Sequence, residues 1–183
     1  LDMLVKKGLV KGRDERNRIL AEMTDDVAAL VLADNAGQAL ALSLDARRSA
    51  SRYEEFVALV DDMAGAGLLN RADESVPTRE ELLASPHRDR GLPRPLLCVL
   101  LGYSKMSAFQ LLLETDFPDG AAGRPFLDGY FPRLLQERFA EHFPDHVLRR
   151  EIVATGAVNY LVNRGGTLLL PRLEQGAKNG IGE

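Results

Sequence analysis

Residues 23–43 read MTDDVAALVLADNAGQALALS. Between Val27 and Leu42 the apolar positions follow no strict alternation, and the run is too long for a single strand, so it predicts a helix. Its apolar residues fall on every side of that helix, and a helix apolar all round is a buried one. Asp34, Asn35 and Gln38 interrupt it near the middle. A buried polar side chain left without a hydrogen-bond partner costs about 1–3 kcal/mol. These three residues are therefore expected to form a structural polar network that holds a junction between helices. Thr24 is placed to cap or kink the start, and Asp25 and Asp26 suit the positive end of the helix dipole.

Working outward, the same helical signal recurs. Arg13 to Met23 reads as a short charged helix with Ile19 and Leu20 turned inward. Ser51-Arg52-Tyr53-Glu54 and Thr78-Arg79-Glu80-Glu81 both fit a capping box, in which a hydroxyl and an acid three residues on satisfy the first amides of a helix. The first should open a helix stopped by Gly65 and Gly67, the second a shorter one. A polar loop over residues 85–93 precedes a strongly apolar helix from about Pro95 to Glu114. Residues 118–125, with two prolines and two glycines, read as a loop. A helix should start at Tyr130-Phe131-Pro132 and end near Phe143-Pro144. Asp145 then stands where it would cap a long helix to Asn163, stopped by Gly165-Gly166. Thr167 to Gln175 gives a last helix, or a short strand over residues 167–170. The prediction is all-α, an irregular bundle of about six to eight helices. It places a tail of an upstream domain at 1–12, a helical domain at 13–176 with its loop at 118–125, and a frayed C-terminus at 177–183. The tail is expected to lack its natural packing neighbours.

Composition narrows the function classes. The 183 residues are 45% hydrophobic and 27% charged, ordinary values for a globular domain. The net charge of −4 gives no basic footprint, so no nucleic-acid partner is expected. No uninterrupted run of about 18 apolar residues occurs, so no membrane span is expected. The single cysteine, Cys98, rules out an intramolecular disulfide and fits a reducing, cytoplasmic setting. It lies in an apolar run and is expected to be buried. There is no Gly-rich dinucleotide fingerprint, no P-loop, no H-E-x-x-H and no cysteine pair for zinc. His142 and His146 are separated by Pro144, which breaks a shared helical face, and Ser104-Lys105 lacks any recognisable oxyanion hole. No catalytic, cofactor-binding or metal-ligating residue is therefore expected in this chain. A second polar cluster, Arg149, Arg150, Asn159 and Asn163, lies in the long C-terminal helix. Two arginines at a helix start oppose its dipole unless an anion or an acidic partner compensates. The four residues are candidates for an interdomain contact or for anion binding.

Several blocks together resemble one family, the very large bacterial NAD-specific glutamate dehydrogenases. They are residues 16–43, Gly67-Leu68-Leu69-Asn70-Arg71, residues 94–105 (RPLLCVLLGYSK), Tyr130-Phe131-Pro132, and residues 148–155 (LRREIVAT) running on to 162–166 (VNRGG). The blocks stand in the family's order and cover nearly the whole chain. Ala36 and Gly37 depart from the bulkier residues expected there, and residues 176–183 do not continue the family's helices. The resemblance implies a helical C-terminal segment that follows an NAD-binding domain and gives structural or regulatory support to an upstream catalytic core. It implies NAD as the parent's cofactor, with none held by this chain. Upstream catalytic and NAD domains of the same polypeptide, and a homo-oligomer, would be its partners. The residues alone leave open a free-standing helical interaction or regulatory module without enzymatic activity.

Overall fold

The computed structural model describes residues 1–171. The expected frayed end at 177–183 lies outside the described residues, as does the end of the helix expected from Thr167; within them, residues 169–171 are helical. Helices account for all regular structure among the described residues, with no strand, as the all-α prediction requires. The α-helices are α1 (Asp2–Lys6), α2 (Gly12–Glu22), α3 (Thr24–Ser51), α4 (Tyr53–Gly65), α5 (Arg79–Leu83), α6 (Arg94–Leu113), α7 (Arg124–Tyr130), α8 (Arg133–Phe139) and α9 (Arg149–Gly165).

The chain divides into two compact units. One comprises Leu1–Ala36 and Leu112–Ala157, the other Gly37–Leu111 and, among the described residues, those from Val158 on. The dividing positions fall inside α3, α6 and α9.

In the first unit Leu4, Val10, Ile19, Leu127, Leu135, Phe139, Phe143, Ile152 and Val153 form the core. Phe131 stacks on Phe143 with ring centroids 4.1 Å apart. Leu4 and Val10 are thus buried within this chain, which corrects the expectation that residues 1–12 lack packing neighbours. Their apolar spacing serves a local core. The helix expected to start at Tyr130-Phe131-Pro132 and end near Phe143-Pro144 is realised as α8 with a 3₁₀ helix after it, and α7 precedes it. Pro132, which has no amide hydrogen to continue α7, separates it from α8, and a 3₁₀ helix over Ala140–Asp145 follows. Asp145 does not cap α9. Its carboxylate pairs with Lys7, and the His146 ring accepts from the Leu148 amide at 3.1 Å just ahead of the helix. The loop at 118–125 contains two 3₁₀ turns, Phe117–Asp119 and Ala121–Gly123, before α7 begins.

In the second unit α4 supplies Phe56, Val57, Leu59, Val60 and Met63, and α6 supplies Leu96, Leu97 and Leu100. The Thr78 capping box forms as predicted: the Thr78 hydroxyl accepts from the Glu81 amide at 3.2 Å, and the Glu81 carboxylate accepts from the Thr78 amide at 2.8 Å. The one predicted at Ser51 does not. Residues 44–50 are rich in Ala, Leu and Arg and contain no breaker, so α3 continues through Ser51. The Ser51 hydroxyl donates back to the Arg48 carbonyl at 3.2 Å. Cys98 is exposed, against expectation. On α6 the inward face carries Leu97, Leu100, Leu101, Ser104 and Ala108, and Cys98 falls on the other side with Gly102 and Met106.

α3 differs most from its prediction. Every residue from Thr24 to Ala33 is exposed. Val31 and Leu32 are 55% and 67% exposed, and Leu40 is 58% exposed. By length and composition α3 and α6 would each be able to cross a membrane. Core helices of water-soluble proteins meet the same criterion.

Candidate functional site

Asp34 and Gln38 are half-buried, and Asn35 is exposed. The enclosed cluster anticipated from the sequence is therefore not enclosed by the described residues. Two turns beyond Gln38 on α3 a different polar residue takes that place. Asp45 is fully buried. Its carboxylate accepts from the Thr167 amide at 2.8 Å and from the Thr167 hydroxyl at 3.0 Å, and Arg48 approaches it at 3.3 Å. Arg48 also donates to the Gly165 carbonyl at 2.8 Å, satisfying an acceptor at the open end of α9. Thr167 in turn offers its carbonyl to the buried Ser104 hydroxyl at 3.4 Å. Gly166 completes the junction. Its φ is +81°, and a Cβ there would collide with the Asp45 carboxylate and the Arg48 guanidinium, so no other residue fits without displacing them. In the second unit this network ties α3, α6 and the residues after α9. The sequence missed it because Asp45, in L-D-A-R-R, reads as the polar face of a solvated helix. The available signal was Gly-Gly-Thr just after a helix end, where left-handed backbone at glycine turns the chain out of the helix and the next amide must find its acceptor elsewhere.

The C-terminal candidates separate into two pairs. In the first unit Arg149 donates to Asp119 at 2.8 Å, and Arg150 pairs with the same carboxylate. Arg150 also donates to the carbonyls of Leu113 at 2.8 Å and Thr115 at 3.1 Å. Asp119 and the end of α6 thus supply the compensation that two arginines at a helix start need. In the second unit Lys105 donates to Asn159 at 2.8 Å. Asn163 lies against Gly37, where an added Cβ would stand 3.1 Å from its amide nitrogen. That close approach accounts for the small residue at 37. Ser104 and Lys105 point to different partners, Thr167 and Asn159, and form no nucleophile–base pair.

Titratable groups with displaced pKa values belong to surface pairs. Lys7, by hydrogen bond and charge, holds the Asp145 carboxyl below its ordinary range. The Lys11 amide and then Arg138 do the same for Glu15. Glu74 raises the Tyr103 hydroxyl. No group of three metal-ligating side chains converges among the described residues. A dinucleotide site needs a strand, a Gly-rich turn and a helix. The described residues contain no strand, so that Rossmann-type arrangement is not among them.

Residues 89–182, just over half of the chain, match the family model described as glutamate dehydrogenase, C-terminal. Three NAD-specific glutamate dehydrogenases are similar over most of this chain. That of Pseudomonas aeruginosa is 40% identical over 88% of it, that of Halomonas elongata 35% over 94%, and that of Mycobacterium tuberculosis 36% over 91%. The chain spans only about a tenth of the length of each of these relatives. No solved structure matches it. With its C-terminal half matched by the family model and nearly all of it similar to three such enzymes, the chain belongs to the NAD-specific glutamate dehydrogenase family.

Proposed function

We propose that this chain is the C-terminal helical segment of an NAD-dependent glutamate dehydrogenase and that it supports the catalytic core of the same polypeptide. The parent reaction takes L-glutamate, NAD and water to 2-oxoglutarate, ammonium and NADH, with release of a proton. NAD receives the hydride, and its site lies on other parts of the polypeptide. The work of this segment is structural. The observation that carries the reading is the first half of α3, an apolar helix left exposed from Thr24 to Ala33. An exposed apolar surface of this kind marks a place where another protein surface sits. The relatives contain about nine times as much further chain to provide it. The setting proposed is cytoplasmic.

The test is an assay of the purified chain for glutamate-dependent NADH formation. No turnover is expected; turnover that survives removal of contaminating dehydrogenases would overturn a purely supporting role. A second reading, a free-standing helical interaction module, is favoured by one observation: Leu4 and Val10 pack into this chain's own core. The coding sequence upstream of Leu1 separates the two. The glutamate dehydrogenase reading requires an open frame running into a G-x-G-x-x-G strand–helix unit, whereas a start codon immediately before Leu1 supports the module.

A further inference from the structure

The second unit contains a cavity of about 790 Å³, within the roughly 300–1,000 Å³ typical of small-molecule sites. Nothing in the proposed supporting role uses it. Its base is apolar: Val76, Leu82 and Leu92 are all buried there, together with the ring of Tyr53. Most of its polar groups are already engaged. The Tyr53 hydroxyl donates to the Leu82 carbonyl at 2.9 Å, and Glu81 serves the capping box. Arg71 pairs with Asp61 and donates to the Pro77 carbonyl.

Among the groups that remain is one fixed cation, the Arg90 guanidinium, with the His87 ring beside it in sequence. Arg90 and His87 line the cavity, and among the described residues their side chains have no hydrogen-bond or ion-pair partner. Asp61 is shared between Arg71 and Arg79, so the Arg71 guanidinium is held in place and is not the free group of the lining. Glu81 is the single carboxylate in the lining.

The walls are fixed before any ligand arrives. The buried Ser49 hydroxyl accepts from the Leu92 amide at 2.9 Å and donates to the Ala46 carbonyl at 3.0 Å. Gly91, at φ +80°, brings the chain so close to α3 that a Cβ would lie 2.8 Å from that same carbonyl. On another part of the lining Ser75 holds a φ of +52°. Left-handed backbone at a non-glycine residue is strained and collects where ligands are gripped. A preformed apolar cavity with an unpaired guanidinium at its polar edge is complementary to an anion with an apolar body.

We propose that this cavity binds a small monocarboxylate with an apolar body. The carboxylate is received by Arg90, with His87 beside it, and the body lies over Val76, Leu82 and Leu92. The assignment does not depend on the glutamate dehydrogenase reaction.

The test titrates the whole 183-residue chain with octanoate by calorimetry, with octanamide as the uncharged analogue and acetate as the head alone. Octanoate should bind saturably with one molecule per chain, and acetate should show no saturable binding. Octanamide, and octanoate with Arg90→Gln, should each bind about tenfold more weakly, the loss expected for one charge-assisted hydrogen bond. Arg13→Gln, at an exposed arginine of the other unit, should change nothing. Amide resonances of Val76 and Leu92 should shift on octanoate addition. Absence of saturable octanoate binding, as when protein chain fills the cavity, overturns the proposal. So does several-site uptake, equal affinity for octanamide, or an unchanged affinity in Arg90→Gln.

Discussion

Two polar residues on one helix, ten positions apart, behave oppositely. Asn35 is exposed, while Asp45 is fully buried and receives both the amide and the hydroxyl of Thr167. Asp45→Asn removes the charge opposite Arg48 and is expected to turn an amide donor toward the Thr167 amide. The cost should be about 1–3 kcal/mol of stability. Asn35→Ala should change stability by less than about 0.5 kcal/mol, because it alters an exposed position and Ala favours the helix. Urea unfolding midpoints of the two variants decide this, and equal losses would mean that Asn35 is enclosed after all. The sequence pointed to polar side chains on α3 but not to the one that is fully buried, Asp45. Asp34, Asn35 and Gln38 stand out because apolar neighbours surround them. Asp45 hides among Arg47, Arg48 and Ser49, and its partner Thr167 is 122 positions away. No local pattern reports a contact of that range.

At the scale of elements, helix types and most boundaries were legible because they depend on local chemistry. Gly67, at φ +70°, lies just past the end of α4, and Pro95 sits in the first turn of α6. Boundaries failed where a local signal had a competitor. Ser51 matches a capping box, but the helix before it has no reason to stop. Thr78→Ala should therefore cost about 1 kcal/mol, whereas Ser51→Ala, which removes no cap, should be close to neutral. Similar losses from both, read by thermal unfolding, would show that the Ser51 box forms in solution. Asp145 failed as a cap for a second reason: Lys7 holds its carboxylate. Its pKa is lower in the folded chain than in the unfolded one. The pair's contribution is accordingly complete above the ordinary carboxylate range and is lost as pH falls through the lowered folded value. Lys7→Met should return the Asp145 carboxyl to its ordinary range in an NMR pH titration. An unmoved titration would show that Lys7 is not the cause.

At the scale of the whole molecule, periodicity says that a helix is apolar but not what covers it. The rule that an apolar helix is buried applied to α3 as written, yet the described residues leave Thr24 to Ala33 exposed. The proposed resolution is that the rest of the glutamate dehydrogenase polypeptide supplies the cover, and Leu32, 67% exposed, is the residue on which to test it. In this chain alone, Leu32→Glu replaces an exposed side chain on a helix, so stability should move by no more than about 0.5 kcal/mol. Self-association, measured by analytical ultracentrifugation, should fall because an exposed apolar group has been replaced by a charge. In the full-length polypeptide the same change would place a carboxylate in an apolar contact. A buried charge without a partner is destabilising by about 3–5 kcal/mol, so glutamate-dependent NADH formation should drop or the enzyme should lose thermal stability. Full activity and an unchanged melting temperature in the full-length variant would mean that this face of α3 meets water, or a different partner, in the intact enzyme. A variant that impairs the isolated chain as much as the full-length one would place the defect in local folding, and the supporting role proposed for α3 would fall with it.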